Sequence, residues 1–370
     1  MKTGRNIVDL AKELQRQVES KHDYLVPTEK VRMTDKATLA SVNGDKFPEV
    51  ALTPWAHQQM AQDLEIPKPY YDRMLEQRPT LLAENVNAWL HAEDRTRLLR
   101  TLDSGGRAWL SDRYRPLDNV DLAEAAFPVL RDLGTEIKSA ELTDTRLYIK
   151  AVKPTMQADI VLRHAAAVRA AGGHEYDAGR GVRHAVAAGV SLRNSEVGHG
   201  AVALEFFLEI LVCSNLAMMT KALRKYHIGR RAGELEGDGI EEFLSNETRR
   251  LDDRAFWSKF SDVLTGAFNQ QTFDRLIAKA QDAADTPITA TIPDIVEITA
   301  RKFTLTETEK SSVLTHLSAG GDLSQWGLSN AITRASQDAD QYERATELER
   351  IGGEIIELPK HEFAALQKAA

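Results

Sequence analysis

The stretch from residue 95 to residue 153 combines cations and aromatic rings in strand-like sequence. On a strand, side chains project at a period of two and form fixed rows on one face. Cations neutralise phosphates and rings stack on bases of any kind, so such rows suit a nucleic-acid single strand. The alternative is an ordinary half-exposed sheet with solvated arginines. The predicted binding residues here are Arg100, Arg107, Arg113, Tyr114, Arg115, Arg146, Tyr148 and Lys150.

A second basic cluster lies between residues 221 and 231. We expect a helix from Ser214 to Tyr226, and cations at its end would complement the helix dipole. That explanation does not extend to the arginine pair beyond Gly229, which could clamp a phosphate. We add to the predicted binding set Arg193, Lys221, Arg224, Lys225, Arg230 and Arg231.

Metal and catalytic motifs are poorly supported. The ten histidines are spread singly, without an HxH, HExxH or Cys cluster, and there is no phosphate-binding GxxxxGK[ST] loop. Asp112, Asp118 and Asp121 could hold a cation, as in some nucleases, but Asp118 is better explained as the cap of a helix. We therefore expect no cofactor and no metal, and a protein that is not an enzyme.

Composition and charge describe a globular chain of uneven charge. Of its 370 residues, 42% are hydrophobic and 28% charged, and the net charge is −8. No run approaches the roughly 18 apolar residues of a membrane span, and the first residues lack the apolar core of a signal peptide. The single cysteine, Cys213, lies in an apolar stretch and is expected to be buried. These features favour a cytoplasmic protein that does not act at a membrane.

The charge divides the chain into parts. Residues 1–159 carry 23 basic and 25 acidic side chains (net −2), residues 160–231 carry 10 and 5 (net +5), and residues 232–370 carry 14 and 25 (net −11). The basic part suits an anion and the acidic part does not. We expect an α+β nucleic-acid-binding core over residues 1–231 and an acidic helical region over residues 232–370, with a linker near residues 286–293.

Hydrophobic periodicity predicts the elements. Hairpins are expected around residues 43–45, 103–106 and 143–145, where turn-forming residues separate alternating runs. Helices are expected over residues 5–19, 54–64, 67–77, 79–91, 119–133, 238–284 (one or two), 306–319, 324–336 and 338–352, the last ended by Gly352 and Gly353.

The middle of the chain is harder to interpret. Residues 155–181 have little pattern and four glycines, so we expect a long insertion with a helix possible over residues 157–170. Alternation predicts a strand from Val186 and another over residues 201–211. The predicted fold class is α+β: an antiparallel, hairpin-built sheet with helices packed on one face, followed by an acidic helical C-terminal region.

Six short segments stand out as motifs: Gly4-Arg5-Asn6, Pro69-Tyr70-Tyr71-Asp72-Arg73-Met74, Leu82-Ala83-Glu84-Asn85-Val86-Asn87, Leu110-Ser111-Asp112-Arg113-Tyr114-Arg115-Pro116-Leu117-Asp118-Asn119, Asn194-Ser195-Glu196-Val197-Gly198 and Cys213-Ser214-Asn215. They resemble a family found on phages and plasmids, the domain of unknown function nine-three-two. Residue 216, a leucine after Cys213-Ser214-Asn215, departs from the glycine expected there.

By weaker analogy, the chain is similar to single-strand annealing proteins of the Red-beta, Erf and Rad type, which assemble as rings or filaments around single-stranded DNA. The resemblance implies an ATP-independent, homo-oligomeric protein that binds single-stranded DNA, or RNA, and promotes annealing or recombination of mobile-element DNA. Its acidic region would then be free to bind a protein partner. Two alternatives are a metal-dependent nuclease using the three aspartates, and a non-enzymatic partner-binding protein such as an anti-defence factor.

Overall fold

The computed structural model describes residues 4–44, 46–163, 182–211, 215–225 and 246–368, with the backbone alone at 43, 215–225 and 246–250. The fold is α+β with antiparallel sheets, which confirms the predicted class. Within the described ranges, every helix is too short or too polar to cross a lipid bilayer.

The helices follow the sequence prediction closely in the first half of the chain. They are α1 (Ile7–Ser20), α2 (Pro54–Asp63), α3 (Lys68–Gln77), α4 (Pro79–Leu90), α5 (Asn119–Asp132), α6 (Asn246–Ala267), α7 (Gln270–Ala284), α8 (Ile292–Phe303), α9 (Glu307–Gly320), α10 (Gln325–Ala335), α11 (Tyr342–Glu357) and α12 (Lys360–Lys368). The sequence analysis missed α8 and α12.

The strands form three antiparallel sheets. One sheet has the order β1-β5-β6, another β2-β3-β4, and the largest β11-β10-β9-β8-β7. The strands are β1 (His22–Pro27), β2 (Val31–Met33), β3 (Thr38–Ser41), β4 (Val50–Ala51), β5 (Thr96–Leu102), β6 (Gly105–Ser111), β7 (Glu136–Leu142), β8 (Leu147–Leu162), β9 (Val182–Asn194), β10 (Val202–Ile210) and β11 (Asn215–Lys225).

One face of the five-stranded sheet carries the main apolar core. Alternation on β8 turns Leu147, Ile149 and Ala151 to this face, and all three are fully buried. Helices α1, α5, α6 and α7 supply the apolar side chains that cover them. The core therefore draws on helices well beyond the expected domain boundary at residue 231, and it also includes Trp326 of α10 and Ile356 of α11.

The N-terminal part has a core of its own. Helices α2, α3 and α4 pack against strands β2 to β6 around Met60, Tyr71 and Leu99. Trp109, at 3% exposure, belongs to this core and not to a binding surface. Thr53 caps α2 by accepting from the Ala56 amide, as the Thr-Pro pair predicts.

Among the described residues, a third apolar cluster is built from the last five helices, the loops between them and the segment that leads into α8. It runs from Ile288 to Phe363 and includes Leu348, Ile351 and Ile355 of α11. The polar side of α11 lies against the second face of the five-stranded sheet, where Tyr148 and Lys150 project. The sequence analysis predicted helices on one face of the sheet, whereas the structure has helices on both faces.

Three predicted elements need correction. Residues 155–162 continue β8 because each of residues 157–162 pairs with β9; residues 164–181 lie outside the described part. Where a helix was predicted from Ser214 to Tyr226, residues 215–225 form β11. The backbone of β10 pairs with this segment, and that pairing overrides the helix-forming composition.

Helix α11 was expected to end at Gly352 but passes through it. A Cβ at this position would meet Thr333 Cγ2 at 2.3 Å, so the glycine permits close helix packing.

The N-terminal core contains a buried titratable group whose effect on stability depends on pH. His57 is 7% exposed, and its Nδ1 lies 2.8 Å from the Tyr71 hydroxyl. Burial lowers the pKa of His57 from 6.5 to about 4. Below pH 6.5 the unfolded state therefore binds more protons, and we expect the free energy of unfolding to fall by about 3 kcal/mol between pH 6.5 and 4 on this account.

Denaturant unfolding across this pH range checks the expectation. His57→Gln keeps a polar group for Tyr71 but does not titrate, so its stability should decline less with falling pH. His361→Gln, which removes a histidine that is 82% exposed, should follow the wild type. Identical pH profiles for all three proteins would contradict the assignment.

Candidate nucleic-acid interface

The second face of the five-stranded sheet brings together many of the predicted binding residues. Antiparallel partners project to the same face, so residues in register form rows across the sheet. One row runs Glu141–Tyr148–Arg193–Ala203–Arg224, and the other runs Ser139–Lys150–Ser191–Glu205–Lys221. Arg224 and Lys221 are placed by backbone register alone. The rows therefore bring cations, two glutamates and the ring of Tyr148 to one face of the sheet.

Arg146 stands at the end of these rows, one residue before β8. Its Nε donates to the His199 carbonyl at 2.8 Å and its Nη1 to the Tyr148 hydroxyl at 3.3 Å. Both acceptors are uncharged, so these bonds orient the guanidinium without neutralising it. Arg193 donates to Glu205 at 3.1 Å while its side chain stays 22% exposed. Arg146 thus gives the sheet end a positive charge without a carboxylate among these partners, whereas Arg193 is paired with Glu205 and remains partly exposed.

An aromatic pair that the sequence analysis missed lies beside Arg146. The rings of Trp55 and His199 are 4.1 Å apart at a tilt of 44°, and the Trp55 indole donates to the Val197 carbonyl at 2.8 Å. Burial and the neighbouring Arg146 lower the pKa of His199, which favours its neutral form. Half-buried rings held next to an arginine form a platform on which a base can stack.

The loop between β9 and β10 holds this platform in place. Gly198 has a φ of +75°, and a Cβ there would meet Leu110 Cδ2 at 2.7 Å. Only glycine satisfies both the backbone conformation and the space. The segment Asn194–Gly198, which carries part of the family resemblance, forms the first part of this loop and ends next to His199. That position was the sequence signal for His199. We call Trp55, Arg146, Tyr148, Lys150, Arg193 and His199 the sheet-end site.

Helix α11 covers the inner part of this site. Lys150 has no exposed surface and forms an ion pair with Glu349, which is equally buried. Burial alone would lower the pKa of Lys150, but the Glu349 carboxylate outweighs it and raises the pKa above its usual value. Lys150 is therefore charged in the folded chain, and its charge is compensated internally.

Arg100 and Arg107 require a correction, since they do not stand in an exposed row. Arg100 is fully buried and pairs with Asp23 at 2.8 Å and Asp118 at 2.9 Å, while donating to the Glu196 carbonyl. Arg107 is the residue of β6 without a partner in β5, and this bulge turns it to the Glu196 carboxylate at 2.6 Å. We call these five residues the buried charge cluster.

The remaining predicted residues lie apart from the sheet-end site. Tyr114 donates to the Ser195 carbonyl at 3.1 Å, and burial raises its pKa. Arg115 is tied to α6 through Asp252 and Asp253. Arg113 is exposed on the turn before them. Lys225 ends β11 by backbone placement, and the predictions for Arg230 and Arg231 fall outside the described residues.

Two of the three carboxylates proposed for a metal are engaged in the fold. Asp118 pairs with Lys21 at 2.6 Å and with Arg100, and it forms a capping box with Asp121 at the start of α5. Asp112 is exposed on the turn before Arg113. Within the described ranges there is no group of three or more His, Cys, Asp and Glu side chains placed to hold a metal ion.

Comparisons with known proteins add no relative. Neither a scan against protein-family models nor searches of curated proteins and of solved structures finds a match to this chain. The resemblance drawn from the sequence segments therefore stays a prediction.

The buried charge cluster should dominate the stability of the region around the site. Arg100→Ala would leave Asp23 and Asp118 without their buried partner, and we expect the free energy of unfolding to fall by about 3–5 kcal/mol. Arg16→Ala is the matched control, since Arg16 also contacts two carboxylates but is 45% exposed. It should cost less than about 1 kcal/mol. Equal losses in denaturant unfolding would contradict the structural role of Arg100.

Proposed function

We propose that this chain binds single-stranded nucleic acid, DNA in the first place, at the sheet-end site. Arg146 and Arg193 contact phosphates, and Trp55 and His199 provide the surface on which a base stacks. The binding needs no ATP, metal or cofactor, and the protein is not an enzyme.

The observation that carries this proposal is the convergence of residue types on one sheet face. Arg146, Tyr148 and Lys150 come from the segment at the start of β8 and Arg193 comes from the end of β9, and the two sequence segments meet at neighbouring register positions. A flat antiparallel face with cations beside rings can bind a strand without reading its sequence. The rows also align Arg224 and Lys221 of β11 with this face by backbone register.

The resemblance to the phage and plasmid family extends the proposal to a biological role. We propose that the protein belongs to that family, works in the cytoplasm as a homo-oligomeric ring or filament, and promotes annealing or recombination of mobile-element DNA. A single site of this size contacts few nucleotides, and oligomers present many such sites in register. The C-terminal region is available to a protein partner.

The two rival functions receive less support from the same residues. A nuclease would need free carboxylates, but Lys21, Arg100 and the helix cap engage Asp118 and Asp121. A purely partner-binding protein would not need cations and rings aligned on one face. Each rival predicts a different outcome in the binding assay below.

Salt dependence of binding tests the proposal. A labelled oligothymidylate of about 50 nucleotides should bind in fluorescence anisotropy, with a log–log salt slope of about −0.7 per phosphate neutralised. Arg146→Gln with Arg193→Gln should weaken binding and reduce the slope by about 1.4. Glutamine retains a donor for Glu205, so the variant should fold, as circular dichroism can verify.

The matched control removes the same charge elsewhere. Arg16→Gln with Arg183→Gln alters two exposed arginines, on α1 and at the far end of β9, and should leave affinity nearly unchanged. An equal loss in both double variants would mean that charge alone matters and would remove the sheet-end site. Cleavage of the strand with magnesium would favour the nuclease, and no binding at low salt would favour the partner-binding protein.

A further inference from the structure

We infer that helix α11 is an internal competitor for the nucleic acid, occupying the inner sheet-end site until a strand displaces it. The inference rests on the proposed function and concerns its regulation. Four residues of α11 face the site: Tyr342, Glu343, Thr346 and Glu349.

Tyr342 takes the place of a stacked base. Its ring lies 5.3 Å from the ring of Tyr148, and Lys150 Nζ stands 4.9 Å from its centroid. Its hydroxyl is hydrogen-bonded to Ser139 at 2.6 Å. A nucleobase on this face would meet the same aromatic ring and the same cation.

The two glutamates take the place of phosphates. Glu349 accepts from Lys150 in the buried interior. Glu343 accepts from the hydroxyls of Thr143 and Thr145 at 3.0 and 2.6 Å, at the edge next to Arg146 and His199. With five Glu and two Arg, α11 has a net charge of −3. An acidic helix thus lies where a polyanion is proposed to bind.

The apolar contacts of α11 belong mostly to another part of the molecule. Leu348, Ile351 and Ile355 pack in the third cluster, whose buried members, among the side chains that the structure describes, lie between Ile288 and Phe363. Apart from Ile356, α11 adds nothing to the main sheet core among the described buried residues. The side chains of α11 that face Tyr148 and Lys150 are polar or aromatic, so the contact that a nucleic-acid strand would replace buries little aliphatic surface. Ile356 and, from the neighbouring α10, Trp326 stay in the main core.

The buried ion pair is suited to exchange. Two desolvated charges gain little net stability from each other, and buried Glu349 Oε1 has no hydrogen-bond partner in the described structure. A phosphate could take over Lys150 while Glu349 returns to water. The same logic applies at the edge, where a departing Glu343 leaves the hydroxyls of Thr143 and Thr145 to a phosphate.

Paired glutamine variants of the full chain test the inference. Glu343→Gln with Glu349→Gln removes the two charges that face the sheet. Glu347→Gln with Glu354→Gln removes two charges from the same helix, where they pair with Arg344 and Arg350 and are 48% and 43% exposed. The first variant should bind the labelled oligothymidylate about three- to tenfold more tightly, and the second should resemble the wild type.

Hydrogen exchange provides an independent measurement. In the wild type, the oligonucleotide should increase exchange in α11 while the strands of the sheet stay protected. If the sheet-facing double variant does not fold, Glu343→Gln alone should still tighten binding, since glutamine can accept from both threonines.

These experiments distinguish a failure of competition by α11 from a failure of nucleic-acid binding at the sheet-end site. The role of α11 would be overturned if both double variants bound the oligonucleotide more tightly by the same factor. It would also be overturned if both bound with the affinity of the wild type. In either case the proposed function would stand. An α11 that stays protected when the strand is bound would likewise overturn only the role of α11. If none of the proteins binds, the proposed function fails and the inference with it.

Discussion

The buried guanidinium of Arg100 is the interaction on which the rest of the structure depends. It joins β5 to β1 through Asp23, to the start of α5 through Asp118, and to the β9–β10 loop through the Glu196 carbonyl. A buried charge is tolerated only when its partners are fixed, so these three elements must hold their positions together. The loop that carries Gly198 and His199 is thereby held against the N-terminal sheet. This contact fixes the position of His199 in the sheet-end site.

This constraint explains why the sequence could predict the residue types of the site and not their roles. Arginines on β-patterned runs indicate a charged face, but the same pattern arises when an arginine points inward to carboxylates that are distant in sequence. Asp23 and Glu196 lie 77 and 89 residues from Arg100 and Arg107, and no local pattern relates them. Arg193 and Arg146, by contrast, stay partly exposed because their strands end there, and strand ends were predictable.

The fold shows the same division. Caps and turns are local, so Thr53 and Asp118 located helix starts correctly. The segment 215–225 is helix-forming in composition, yet the free edge of β10 makes it a strand, which is a tertiary effect. Gly352 indicates a helix end in the sequence. In the structure it lies inside α11, where its missing side chain lets Thr333 approach the helix. In each failure, a distant neighbour outweighed a local preference.

The placement of α11 links these points to function. Cations on a sheet face lose their hydration where a helix covers them, so the covering helix must supply carboxylates. The acidic helix α11, held by its own apolar cluster, does this for Lys150, which stays charged because it pairs with Glu349. A chain whose net charge is −8 can in this way keep cations on a sheet face, since α11 brings compensating acids to them. In the exchange proposed above, a polyanion replaces those acids.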